Sequence, residues 1–361
     1  MIRSFATGIG MLVVVAASHV DAGPVGEIHR VTSDPSASLR DAEHRPEVRV
    51  TIWYPAAPDA VEHEVTIGPP GSKPLFDTGS VALNATFAPG EDRRPVVLLS
   101  HGFGGTARIM GWFGIAMARD GYIVVAVDHP GNNTTDKKTI AGAVLRWDRA
   151  EDLRAALNAA EQDQTISPHM DLSRVGVAGF SAGGFTALLA AGARVEPGRF
   201  QRFCQSNPDD GICRPQREFT FTAQDEADLF KRPEILAEAA HAGDDYTIPQ
   251  VRAAFAMAPS LMQALDPASL EHMQVPVEII LGDADTIASP STNGLVAAKI
   301  IPNVSLIRLP EVGHYDFLSS CTEIGRTTIP ICRTVVPQAD THQQAIEAAE
   351  AFFDRQLPAA H

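Results

Sequence analysis

Residues 174–184 read Arg-Val-Gly-Val-Ala-Gly-Phe-Ser-Ala-Gly-Gly, RVGVAGFSAGG. The first half, Arg174 to Phe180, is a short apolar run bounded by small residues, as a strand buried on both faces would be. The second half continues as AGGFTALLAAGA, Ala182 to Ala193, which predicts a helix. Ser181 stands at the junction, inside Gly-x-Ser-x-Gly. By chance this pattern turns up in roughly one chain in ten of this length. Between a strand and a helix it means more. A side chain at Gly179 or Gly183 would crowd a sharp turn that holds the serine hydroxyl out.

Outward from this stretch, strands and helices alternate. PVVLLS (95–100), YIVVAVD (122–128), VRAAFAMA (251–258), VPVEIILG (275–282) and NVSLIRL (303–309) read as buried strands. Helices are expected over 107–120, 147–163, 293–300 and 341–357, the last opened by a capping box of Thr341 and Gln344 and buried along Ile346, Ala349 and Phe353. VRVTIWYP (48–55) is a first strand, and the Pro/Gly-rich stretch 58–90 reads as surface loop. Alternation of this kind implies an α/β fold, with a mostly parallel central sheet covered by helices on both faces.

In such sheets chemistry collects where strands end. After 95–100 comes SHGFGG, whose glycines can turn backbone N–H groups outward. Ser181 follows the next strand. Asp283 and Asp285 follow the strand ending at Gly282, in GDADTIASP, and His314 follows the last strand, in PEVGHYDF. The order Ser, Asp, His is that of a nucleophile, the carboxylate that orients its base, and the base. Asp285 is the expected acid from its spacing to Gly282. Asp283 is the alternative and otherwise a turn residue. The N–H groups of Ala182 and Phe103 are the expected oxyanion donors. His101 reads as support for the glycine loop and His129 as a cleft-wall residue or a support behind the site. Arg149 and Asp152 read as the solvated face of a helix or a weak ion pair.

The stretches LLSHGFGGTARIMGWFGIAMARDGYIVVAVDHPG, GFSAGG and GHYDFL resemble the α/β-hydrolase superfamily, and within it the dienelactone-hydrolase-like and platelet-activating-factor acetylhydrolase-like group. The resemblance spans most of Arg94 to Leu357. It implies the α/β-hydrolase fold and a Ser-His-Asp ester hydrolase with its oxyanion loop after SHG. Dienelactone hydrolases carry Cys where this chain has Ser181. The acetylhydrolases place their acid where this chain reads Ala258-Pro259-Ser260, so the acid is expected from GDADTIASP. The expected activity is hydrolysis of short to medium acyl esters, small-molecule or lipid. A phospholipid acetylhydrolase and a non-catalytic binding scaffold are the alternatives.

The rest of the 361 residues bounds this reading. The chain opens with Arg3, a short apolar run from Ile9 to Ala17, and Val20-Asp21-Ala22. This predicts a signal peptide over 1–22 and a secreted or periplasmic protein, with one catalytic domain over 23–361. No later stretch is apolar enough to span a bilayer. Four cysteines, at 204, 213, 321 and 332, suit an oxidising compartment, and local pairing, Cys204 with Cys213 and Cys321 with Cys332, closes two short loops. A net charge of −15 argues against nucleic acid as a partner. The chemistry calls for no organic cofactor and no metal. Residues 194–250 interrupt the alternation as an insertion, either a lid over the site or a segment on the domain edge.

Overall fold

The computed structural model describes residues 23–90 and 93–359. The expected signal segment, 1–22, lies outside the described residues. Among the described residues eleven strands form one sheet: β1 (Val25–Ser33), β2 (Glu47–Pro55), β3 (His63–Ile67), β4 (Phe76–Leu83), β5 (Arg94–Ser100), β6 (Ile123–Asp128), β7 (Met170–Phe180), β8 (Val251–Met257), β9 (Val277–Gly282), β10 (Val304–Leu309) and β11 (Ser320–Cys321). Their spatial order is β10-β9-β8-β7-β5-β6-β2-β1-β4-β11, with β3 on β4. The six strands from β6 through β10 run parallel. β2 and β1 add antiparallel strands beyond β6.

The central strands are apolar throughout because both faces are covered. On one face Leu153 and Leu157 of helix Arg149–Gln162 and Phe185 and Leu188 of helix Ala182–Ala190 meet Val96, Leu98, Val125 and Val177. On the other, Trp112, Phe113 and Met117 of helix Gly111–Arg119 and Phe352 and Phe353 of helix Gln338–Gln356 meet Val97, Leu99, Val124 and Phe255. Each fully buried large side chain contributes on the order of 2 kcal/mol by leaving water.

Four expectations fail. The stretch 58–90 is not simply loop, since β3 and β4 lie within it and pair antiparallel. The described chain opens with β1, not with 48–55, even though β1 carries Glu27, His29 and Arg30. Glu27 is tolerated inside because it accepts Trp53 Nε1–H at 2.8 Å. The last helix starts at Gln338, behind Pro337, whose φ of −60° suits a helix entry. Gln338 is fixed by tertiary contact, its Oε1 accepting Cys321 N–H at 2.8 Å. Thr341 is therefore an interior residue, fully buried, and caps nothing. The fourth failure concerns Arg149 and Asp152. They are not on a solvated face, being 2 % and 0 % exposed.

His342 stacks on Trp112, ring centroids 3.9 Å apart, and its Nε2–H donates to Leu318 O at 2.8 Å. Burial pushes its imidazole down from 6.5 to about 4. The unfolded chain thus binds more protons than the folded one between those values, and stability falls as pH drops through that window. The loss from His342 is on the order of 3 kcal/mol between pH 7 and pH 4. Urea melts should show His342→Gln less stable than wild type at pH 7, with the gap shrinking by pH 4.5. A gap of constant size would contradict this titration.

Candidate active site

Three loops at the C-terminal ends of the parallel strands converge. Ser181 sits between β7 and helix Ala182–Ala190 with φ 55° and ψ −117°. A non-glycine residue holds such a backbone only where its surroundings fix it. Here Ser181 N–H donates to Met257 O at 2.9 Å, and Ser181 O accepts Ser260 N–H at 3.1 Å. The flanking glycines allow the turn. A Cβ on Gly179 would stand 2.1 Å from Gly183 O, and one on Gly183 would stand 2.0 Å from Ser100 O.

His314 begins a 3-10 turn, His314–Phe317, after β10. Asp316 closes that turn by accepting Gly313 N–H at 2.6 Å. Trp112 Nε1–H holds Phe317 O at 3.0 Å. His314 Nε2 lies 2.9 Å from Ser181 Oγ. His314 Nδ1 lies 2.6 Å from Asp285 Oδ2. Asp285 is itself fixed, its Oδ1 accepting Ile287 N–H and Ala288 N–H, each at 2.8 Å. Ser181, His314 and Asp285 are all buried. Asp283 points elsewhere and pairs with Arg308 Nε at 2.8 Å near the surface.

Because the carboxylate of Asp285 can only accept, Nδ1 of a neutral His314 carries the ring proton. Nε2 is then free to accept from Ser181 O–H. Phe103 and Ala182 border the same space, and among the described residues neither backbone N–H is donated to a protein acceptor.

A cavity of about 860 Å³ opens over Ser181. Phe103, Leu261, Ile287 and Tyr315 line it from the main domain, and Phe200, Ile212, Phe219 and Phe221 from the insertion 194–250. The insertion is three short helices, Arg199–Ser206, Ala223–Leu229 and Pro233–Ala239, with a turn at Gly211–Cys213. The Cys204–Cys213 disulfide ties the turn to the first helix, and Cys321–Cys332 closes the second predicted ring. The insertion touches the loops that carry Asp285, Phe103 and His314. Gly211 abuts Thr286 O so closely that a Cβ would stand 2.1 Å away, Glu218 packs over Gly104, and Tyr315 O–H donates to Glu218 Oε1 at 3.0 Å. Arg146, also on the cavity wall, stacks on Phe200 with 4.7 Å to the ring centroid. A second depression, about 530 Å³ between β1 and helix Arg149–Gln162, contains none of these groups.

Sequence reasoning passed over Arg40, Asn132, Thr186, Glu218 and Tyr315. Only Tyr315 carries a local signal, its adjacency to His314. His129 is fully buried and lines no cleft. No group of three or more His, Cys, Asp or Glu among the described residues could hold a metal ion, and no helix there is long and apolar enough to cross a membrane.

A strained Ser between strand and helix, a His after the last parallel strand and an Asp after the strand before it define the fold of α/β hydrolases. The Alpha/beta hydrolase family model matches residues 96–324, and the chain belongs to that family. Among solved structures, a ferulic acid esterase from Streptomyces cinnamoneus is similar at 21% identity and a TM-score of 0.61, over 95% of this chain and 92% of that one. At that identity the likeness speaks for the fold. A search of curated proteins finds no match.

Proposed function

We propose that this protein is an exported serine hydrolase of carboxylic esters. The observation that carries the reading is the continuous hydrogen-bonded line from Ser181 Oγ through His314 to Asp285. In this reading Ser181 Oγ attacks the ester carbonyl carbon while its proton passes to His314 Nε2. The carbonyl π electrons move to oxygen, which sits against the N–H groups of Phe103 and Ala182. Collapse breaks the bond to the alcohol oxygen, and His314 returns the proton to that leaving group. Water repeats the sequence on the acyl-enzyme and frees the acid. Asp285 holds the tautomer that makes His314 a base and stabilises its cationic form. Two disulfides support an oxidising compartment, and with it the export expected from residues 1–22.

The cavity supports an acyl or alcohol group larger than acetyl. Its aromatic wall rewards each buried methylene with about 0.8 kcal/mol, roughly fourfold in kcat/KM. p-Nitrophenyl esters of increasing chain length should therefore improve from acetate through butyrate to hexanoate. The neighbouring fold of a ferulic acid esterase makes aryl-acyl esters a second series worth the same assay. A series that peaks at acetate would favour the acetylhydrolase alternative. A fluorophosphonate probe that fails to label Ser181 would remove the serine mechanism itself.

A further inference from the structure

Behind the loop carrying Phe103 lies a buried polar chain that the proposed chemistry does not use. Ser100, His129 and Asp152 are fully buried. His129 Nδ1 lies 2.8 Å from Asp152 Oδ2, and its Nε2 lies 2.8 Å from Ser100 Oγ. Arg40 grips the Asp152 carboxylate with both terminal nitrogens, each at 2.8 Å. Burial, then the neighbouring Arg149 and Arg40, hold the His129 imidazole well below its ordinary value, so it is neutral. Its one proton is on Nδ1, facing the carboxylate, and Ser100 O–H donates to Nε2. The order imitates a nucleophile, base and acid, yet no substrate reaches Ser100.

The chain ends on Arg149. Its Nη2 donates to His101 O and approaches Ser100 Oγ at 3.4 Å. Nη1 donates to Asn132 Oδ1 at 3.1 Å, and the same oxygen accepts Gly104 N–H at 3.0 Å. Nε donates to Thr186 Oγ1 at 3.1 Å, and that hydroxyl donates to Ala182 O at 3.0 Å. One planar fork thus fixes the loop on both sides of Phe103 and the first turn of the helix begun by Ala182. Among the described residues it forms no ion pair. Asp152, the carboxylate acting on it, is engaged by Arg40 and His129. Burial lowers Arg149 to about 9, which leaves it cationic at neutral pH.

We propose that Arg149 is the positioning residue of the oxyanion pocket, setting the separation of the Phe103 and Ala182 N–H groups and placing an unpaired buried positive charge behind them. This rests on the serine-hydrolase reading above. Donors aimed where negative charge develops act on the transition state and little on the bound ester. A charge in a low-dielectric interior extends that effect beyond contact distance.

The test is kinetic. Arg149→Met should lower kcat about 100-fold, the scale of losing one oxyanion donor, with KM moving less than about threefold. Affinity for a trifluoromethyl ketone, which forms a tetrahedral oxyanion on the nucleophile, should fall by a similar factor. Affinity for the matching methyl ketone, bound as a carbonyl, should stay. Asn132→Ala and Thr186→Val each cut one arm and leave the charge, and should cost about tenfold in kcat. They keep the proposal testable if Arg149→Met does not fold. A folded Arg149→Met with kcat within threefold of wild type overturns it, as does equal loss of both ketones. Where Arg149→Met fails to fold, wild-type kcat in both arm variants does the same. Ser181→Ala in the same assay separates the cases. If it stays active, the serine mechanism is wrong. If it is dead while the Arg149, Asn132 and Thr186 variants turn over normally, only the positioning role falls.

Discussion

Replacing Ser181 by Ala lowers kcat/KM on p-nitrophenyl butyrate by about 10⁴- to 10⁶-fold and leaves the melting temperature nearly unchanged. The rate loss follows from chemistry. Without Oγ, water must attack unaided, and only the oxyanion donors and the binding cavity remain to help it. The stability result follows from what Ser181 touches. Its side chain meets His314 and, at 3.4 Å, Ser260. The unusual backbone is held by main-chain bonds to Met257, Gly184 and Ser260, which Ala keeps. A variant that is folded and still hydrolyses the ester at a tenth of the wild-type rate would end the serine mechanism.

Asp285→Asn is expected to cost about 10⁴-fold in kcat, and Asp283→Asn less than about threefold. Asn keeps an oxygen for Ile287 N–H and Ala288 N–H, so the loop stays in place. Its amide then faces His314 Nδ1 and donates. The ring proton is driven to Nε2, the atom that must accept from Ser181. The variant is thus correctly shaped and wrongly protonated. Asp283, by contrast, loses only an exposed pairing with Arg308. Near-wild-type kcat in Asp285→Asn, with a crippled Asp283→Asn, would reverse the assignment.

These side chains were legible because each follows a buried strand and sits beside glycine or another small residue, signals that survive in one dimension. The parallel core was legible for the same reason, since strands covered on both faces are apolar from end to end. The flanking sheet was not. β1 places Glu27 inside, which reads as exposure until Trp53 supplies the partner. β3 is short, β4 carries Asp77, Thr78, Gly79 and Ser80 through its middle, and Pro and Gly lie between and beyond them, the marks of a loop. Arg149 and Asp152 were misread for a related reason. Charges on an amphipathic helix face water unless something distant answers them. Here Asp152 is answered by Arg40, 112 residues away in the chain. The start of the last helix was misjudged because the local capping pattern at Thr341 gave way to the contact of Gln338 with Cys321.

A single backbone cut inside the ring closed by Cys204 and Cys213 does not divide the protein. Nine positions separate the two sulfurs along the chain, and Gly211 inside that span sits against the loop after Asp285. A protease that clips the ring leaves two fragments still joined through sulfur, so the nicked enzyme stays whole on a non-reducing gel. Adding a reductant releases the Gly211 end, and activity lost at that moment, but neither at the nick nor on reducing the uncut protein, would mark this sulfur link as what preserves the nicked protein.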